Sequence, residues 1–162
     1  MRKKSKQMAM GGMIAAFYVV FTLIAASVGL SSGVIQFRIS EALCVLPMFT
    51  SAAIPGLAIG CLVSNLVSGC VMWDVIFGMI ATLIGAIGTR LLRKYRWIAP
   101  LCPVVSNMVI VPFILQHAYH VEDGYFFLLA TVGVGEFVCA YILGQIVIDL
   151  VRRRHLVKEE AK

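Results

Sequence analysis

Long apolar blocks separated by short polar stretches run along almost the whole chain. They cover approximately residues 8–30, 42–69, 71–89, 97–116 and 124–151. An α-helix needs about 20 residues to cross the hydrocarbon core of a bilayer, and each block is about that long or longer. The pattern therefore predicts an all-α integral membrane protein.

The second block, 42–69, contains no charged residue. As one straight helix it would be roughly 42 Å long, well beyond a bilayer's hydrocarbon thickness. Pro55-Gly56 within it is a strong helix break. We therefore expect this block to form a hairpin of two short helices, broken at Pro55 and beginning near Ser40. That brings the total to six transmembrane helices.

The distribution of basic residues also favours six transmembrane helices. All but one of the 14 Lys and Arg residues fall in three clusters, within 2–6, 90–96 and 152–162. Lys and Arg accumulate on the cytoplasmic side of membrane proteins, and six spans place all three clusters on one side. We expect residues 1–162 to form a single domain with both termini in the cytoplasm and Arg38 on the outer side.

Composition and motifs limit the classes of function that the chain could have. The chain is 60% hydrophobic and 14% charged, whereas soluble domains average about 25% charged residues. Its five cysteines lie in or at the ends of apolar blocks without a CxxC pair, so we interpret them as small buried residues and expect no metal site or cofactor. The chain contains no GxxxxGK[ST], HExxH or GxSxG motif, so we do not expect an enzyme.

Two polar residues fall near the middle of predicted spans. Glu136 lies about 11 residues into the last helix, roughly 16 Å deep, beside Gly135. Asn107 lies at the same depth in the preceding helix. Because ionisable groups are costly in a bilayer, such residues are functional candidates. The alternative is that each forms hydrogen bonds between helices.

Further polar residues collect toward the outer side. Trp73 and Asp74 open a helix there, where each also has a simpler interpretation as a belt aromatic or a helix-dipole partner. Glu41, Asp74 and Glu136 would give this half of the bundle three carboxylates against the single Arg38. Such a pocket suits a cation or a ligand with several N–H donors.

The stretch "VIQFRISEAL" (34–43) connects the first two predicted helices. Ser40 is suited to cap the second helix, and Glu41 in its first turn would interact favourably with the helix dipole. Together with an Arg38–Glu41 pair at the helix entry, this accounts for both charges but does not explain Gln36 and Phe37 beside them.

Small residues are spaced four apart in the first helix. Gly11 pairs with Ala15, and Gly12 with Ala16. This spacing lets a second helix approach closely. The second helix is either another part of this chain or a partner protein.

These features resemble the QueT family, the substrate-binding S components of energy-coupling factor (ECF) vitamin transporters. The resemblance rests on the six short helices, the small-residue face, the Pro-broken hairpin and above all "QFRISEALCVLP" (36–47). It implies a bacterial membrane protein that takes up queuosine precursors, which are 7-deazaguanine bases such as the aminomethyl form. It also implies docking to a transmembrane coupling subunit and two cytoplasmic ATPases, which would hydrolyse the ATP. We expect no nucleic-acid partner.

The resemblance further implies that the loop around 31–39 forms a lid, with Arg38 and Glu41 as lid and rim residues. A guanine-like edge would pair with Glu136 and Asn107, and Trp73 would stack on the ring. A second carboxylate, Glu41 or Asp74, would meet the aminomethyl cation. The candidate substrate-binding residues are Glu136, Asn107, Trp73, Asp74, Arg38, Glu41 and Gln36; the candidate coupling-subunit contacts are Gly11, Gly12, Ala15 and Ala16.

Two alternatives remain open on the residues alone. One is an ion- or proton-coupled secondary transporter of a small polar solute, with Glu136 as the coupling group. The other is a non-transporting membrane scaffold in which the polar groups only hold helices together.

Overall fold

Helices account for nearly all of the structure. A computed structural model describes residues 2–30 and 36–154. Its elements are α1 (Arg2–Ser27), a 3-10 helix (Ile39–Met48), α2 (Ala53–Val67), α3 (Met72–Leu91), α4 (Leu101–Ala118), α5 (Tyr125–Glu136), a π-helical segment (Phe137–Leu143) and α6 (Gly144–Arg154). The last three are continuous, so the described residues form six rods. The all-α prediction is confirmed.

Four of the rods are long and apolar enough to cross a membrane. They are Lys4–Ser27, Met72–Leu91, Leu101–Ala118 and Tyr125–Arg154. The 3-10 helix and α2 are apolar but shorter, and at about 2.0 and 1.5 Å per residue each is only about 20 Å long. Six full crossings and the cytoplasmic position of the termini therefore stay predictions.

The predicted hairpin is present, but its break is not at Pro55. The 3-10 helix begins at Ile39, close to the predicted start, and the chain reverses at residues 49–52. Pro55 lies in the first turn of α2. A proline there breaks no helical hydrogen bond, because the first N–H groups of a helix have no partner within it.

Successive rods alternate in direction. Thr22 of α1 contacts Ser40 while Tyr18 contacts Glu41, so the 3-10 helix runs against α1. Arg96, after α3, bonds Asp149 of α6 at 2.6 Å. One end of the bundle, here called the basic end, therefore carries Arg96 and the start of α1. The opposite end, here called the open end, carries residues 36–38, 68–71 and 119–124.

Helices α1 and α2 pack through small residues. A Cβ atom at Gly56 would lie 2.6 Å from the carbonyl oxygen of Gly11, and one at Gly60 would lie 3.1 Å from that of Ala15. The Gly11–Ala15 spacing therefore serves packing inside the bundle. Gly12 has no atom within 4 Å of a built Cβ and is exposed, as is Ala16.

The exterior of the bundle is more apolar than that of a water-soluble protein. Large apolar side chains face outward, including Phe17, Ile84 and Phe126. Polar side chains are instead buried between the rods, namely Ser40, Glu41, Thr50, Ser64, Asn65, Asp74, Thr82, Thr89, Ser106, Asn107 and Glu136. The buried interior is therefore mixed, with an apolar core cluster around Val45, Phe49 and Leu57 beside these polar side chains, and polar groups kept away from the exterior are what a bilayer solvent favours.

Candidate ligand-binding site

A polar cavity lies at the open end of the bundle. Its volume is about 460 Å³, within the range of small-molecule sites. It is lined by Thr22, Ala26, Gln36, Arg38, Asn65, Ser68, Cys70, Asp74, Val111, Ile114, Leu115, Tyr119 and Val121. Three of the predicted site residues, Gln36, Arg38 and Asp74, are therefore brought together here.

Asp74 organises one side of this cavity. Its Oδ2 atom lies 3.9 Å from Nη2 of Arg38 and accepts a hydrogen bond of 3.0 Å from the Tyr119 hydroxyl. Burial, and then the adjacent Asp74 carboxylate, raise the pKa of Tyr119. The phenol therefore stays protonated and donates the hydrogen bond to Asp74. Asn65 Nδ2 donates to the backbone oxygen of Asp74 at 3.3 Å. The longest of these contacts is the ion pair with Arg38.

Glu41 lies deeper and is fully buried. One carboxylate oxygen accepts a very short hydrogen bond from the Tyr18 hydroxyl, and the other accepts one from Cys44 Sγ at 2.9 Å. Glu41 is in the first turn of its helix, as predicted, but Ser40 is not the N-cap. Arg38 occupies that position without a side-chain cap bond, and the Ser40 hydroxyl instead accepts from Thr22 at 2.8 Å.

Glu136 and Asn107 form a second buried group. They are 5% and 1% exposed, respectively. Glu136 lies close enough to Asn107, Glu41 and Arg38 to interact electrostatically with all three. Within the described residues, Asn107 Nδ2, Glu136 Oε2 and Thr82 Oγ1 are buried without a hydrogen-bond partner. Buried polar atoms are almost always paired, so these three atoms are exceptions; neither Asn107 nor Glu136 is among the residues that line the open-end cavity.

The π-helical segment begins immediately after Glu136. Single π-turns inside α-helices are rare and occur frequently at functional sites. The segment packs against the 3-10 helix, and at the start of α6, directly after it, a Cβ atom at Gly144 would lie 2.7 Å from Cγ1 of Val45. The two irregular helices thus meet where Glu41 and Glu136 approach each other.

Trp73 lies outside the cavity. It is 62% exposed and stacks on Phe77, with ring centroids 5.4 Å apart. Stacking of Trp73 on a ligand in this cavity is therefore not compatible with its position. Tyr119 is the aromatic residue among those that line the cavity.

The predicted lid is described only in part. Residues 31–35 lie outside the described residues. Of the remainder, Gln36 and Arg38 line the cavity.

A second concave surface lies between α1 and α2, toward the basic end. This small-residue groove has a volume of about 440 Å³. It is lined by Gln7, Met8, Gly11, Gly12, Ala15, Ser51, Ala52, Pro55, Gly56 and Ile59. Three of the four predicted coupling contacts therefore line it, while Ala16 is exposed beside them.

Several site residues were missed by sequence reasoning. Tyr18 and Thr22 contact the 3-10 helix through their hydroxyls, and Tyr119 and Asn65 hold Asp74. The available signal on α1 was a pair of hydroxyl side chains four residues apart, and therefore on one face of an otherwise apolar helix.

An all-helical, multi-pass protein of the cell membrane with a polar cavity between its helices has the architecture of a transport protein. The chain belongs to the QueT transporter family, whose profile matches residues 8–153. It is 28% identical over 153 residues to the queuosine precursor transporter QueT of Lactococcus lactis subsp. cremoris (strain MG1363), covering 87% of this chain and 89% of that protein. No solved structure matches the chain. The family resemblance inferred from the sequence is confirmed.

Proposed function

We propose that this protein is the substrate-binding S component of an ECF importer for a queuosine precursor, a 7-deazaguanine base such as the aminomethyl form. The name of the Lactococcus lactis relative supports the substrate class. The observation that carries the proposal is that Asn107 Nδ2 and Glu136 Oε2 are buried without a hydrogen-bond partner, although the Asn107 amide lies near enough to the Glu136 carboxyl group to interact with it.

These two atoms complement a guanine-like edge. That edge offers a carbonyl acceptor next to ring and exocyclic N–H donors. Asn107 donates to the carbonyl, and the Glu136 carboxylate accepts the donors side by side. Hydrogen bonds to a charged group contribute about 1.5–3 kcal/mol each, and leaving the site unfilled keeps two buried groups unsatisfied. Both effects favour binding.

The contacts of the remaining two carboxylates support different roles for them. Both oxygens of Glu41 already accept a donor from the protein. Asp74 lines the cavity, and its ion pair with Arg38 is long, at 3.9 Å between Oδ2 and Nη2. We therefore assign the ligand's aminomethyl cation to Asp74, which exchanges a long ion pair for a short one.

The small-residue groove is the proposed docking surface for the transmembrane coupling subunit. A helix of the partner can approach the α1 backbone closely at Gly12, where the bundle itself places no atom within 4 Å of a built Cβ. The partner ATPases then supply the energy for uptake.

Calorimetric titration of the purified chain with the aminomethyl 7-deazaguanine base tests the ligand assignment. We expect saturable binding by the wild type. Glu136→Gln should weaken it roughly ten- to hundred-fold, the equivalent of one charge-assisted hydrogen bond. The matched control is Glu122→Gln, an exposed carboxylate in the loop at the open end, and it should bind like wild type.

Two results would overturn this proposal. Absence of wild-type binding would remove the substrate assignment, and unchanged affinity in folded Glu136→Gln would remove Glu136 from the site. Uptake of the base in cells that lack the ECF ATPases would instead identify a secondary transporter.

A further inference from the structure

The interior of the bundle contains more acidic than basic groups. Glu41 and Glu136 are both buried and close enough to interact, and the cation they share, Arg38, is also paired with Asp74. An ionised carboxylate without a partner is costly in a low-dielectric interior. In the ligand-free protein, at least one of the two buried carboxyl groups is therefore expected to hold a proton.

The hydrogen bonds indicate which one. Glu41 accepts a hydrogen bond on each oxygen, from Tyr18 and Cys44, so both of its oxygens have a partner. Glu136 has the unpaired Oε2, so nothing compensates a charge on that atom within the described residues. The proton belongs on Glu136.

The groups around Glu136 do not change this assignment. The 3-10 helix presents Glu41 and Cys44, the residue before that helix is Arg38, and the helix of Glu136 itself presents Cys139. From α4 comes the amide of Asn107, which does not titrate. Arg38 is thus the one cation that faces Glu136 in the described part of the chain.

We propose that Glu136 is protonated in the ligand-free protein and releases its proton when the base binds. This rests on the proposed function, which places the N–H donors of the base against Glu136. A protonated carboxyl keeps one oxygen as a donor, so only the carboxylate accepts two adjacent N–H groups on both oxygens. The proton leaves Glu136 for solvent, and the ligand's donors take over its stabilising role.

Proton release sets the direction of the pH dependence. Where Glu136 is protonated before binding, one proton leaves per ligand bound. Affinity should then fall about tenfold for each unit by which pH is lowered, because protons compete with the ligand for the carboxylate.

Calorimetric titration with the aminomethyl 7-deazaguanine base, at one pH in phosphate and in Tris, measures the protons released. These buffers take up a proton with different enthalpies. For the wild type, we expect the apparent binding enthalpies in the two buffers to differ by the amount that corresponds to about one proton released per ligand. For Glu136→Gln, we expect the two enthalpies to be equal. An enthalpy independent of buffer, with binding intact, would overturn the inference but not the proposed function. No binding at all would overturn the proposed function.

Infrared difference spectroscopy covers the case in which Glu136→Gln does not bind. The ligand-free wild type should show the carbonyl stretch of a protonated carboxyl group at neutral pH, and the base should abolish it. Glu136→Gln should lack this band before ligand is added, whereas Glu41→Gln should retain it. Absence of the band in the ligand-free wild type would also overturn the inference.

Discussion

The three buried carboxylates have different surroundings, and their chemistry follows from these surroundings. Asp74 lines the cavity and has a cation and a phenol beside it. Glu41 is fully enclosed and accepts two bonds from the protein. Glu136 keeps an unpaired oxygen. At the scale of single residues, we therefore interpret Glu41 as a structural anchor and Asp74 as a contact for the ligand's cation. We interpret Glu136 as the group whose free oxygen is paired only when the ligand binds.

The anchoring role of Glu41 predicts a loss of stability when its phenol partner is removed. Tyr18→Phe deletes the hydroxyl and leaves a buried carboxylate oxygen unsatisfied, which should cost about 1–3 kcal/mol. Thermal unfolding in detergent measures the loss. Tyr95→Phe is the matched control because Tyr95 is exposed, and it should unfold like wild type. Equal midpoints for both variants would show that Glu41 does not depend on Tyr18.

Residue depth was predictable from sequence, but residue orientation was not. Counting along apolar blocks placed Glu136 and Asn107 deep in the bundle, and both are buried. Trp73 was instead placed in the site as an aromatic that could stack on a ring-shaped ligand, whereas it faces outward. A helix that is apolar on all sides gives no signal for its rotation about its own axis. The spacing of Tyr18 and Thr22 marks one face of α1, but it does not identify Glu41 as the residue that this face contacts.

At the scale of elements, the two irregular helices explain how the polar residues meet. The 3-10 helix carries Glu41, and the π-helical segment follows Glu136. Hydrophobic periodicity does not distinguish these helix types in a block that is apolar throughout, so both went unpredicted. Pro55-Gly56 led to the prediction of the hairpin, but the chain turns at 49–52. Pro55 is not the break, because a proline is tolerated in the first turn of a helix.

Close packing of α1 on α2 predicts opposite effects for two glycine substitutions. A Cβ at Gly56 would lie 2.6 Å from the Gly11 carbonyl oxygen, whereas one at Gly12 meets no atom within 4 Å. Gly56→Ala should lower the free energy of unfolding by about 1–3 kcal/mol through overpacking. Gly12→Ala should be neutral or raise it by up to about 1 kcal/mol through helix propensity. Thermal unfolding of both variants is the measurement. A stable Gly56→Ala would mean that the two helices are not in contact there.

At the scale of the whole molecule, alternating rods place the basic clusters together at one end. The positive-inside rule then predicts that this end is cytoplasmic and that the cavity opens outward. Labelling of introduced cysteines tests this, in a Cys70→Ser, Cys102→Ser background, because these two native cysteines are partly exposed whereas Cys44, Cys61 and Cys139 are buried. A membrane-impermeant maleimide should label Glu122→Cys in intact cells but Lys94→Cys only after permeabilisation. The reverse pattern would invert the topology.

The cavity and the small-residue groove lie toward opposite ends of the bundle, so binding and docking should be separable by mutation. Gly12→Leu places an isobutyl group in the groove without a clash inside the bundle, because no atom of the chain lies within 4 Å of a Cβ there. Ala16 is likewise exposed. Gly12→Leu and Ala16→Leu should therefore retain wild-type affinity for the base yet abolish its uptake, because the added bulk holds the coupling subunit's helix away.

Uptake of labelled base into cells, beside calorimetry on the purified variants, separates the two effects. Ala130→Leu adds the same bulk at an exposed position of α5 outside the groove, and it should keep both binding and uptake. Wild-type uptake by Gly12→Leu and Ala16→Leu would exclude this surface as the docking site. Loss of binding would show instead that α1 shapes the cavity through the Tyr18–Glu41 contact. The groove therefore predicts a defect in transport without a defect in recognition, as expected when the energy for uptake comes from another protein.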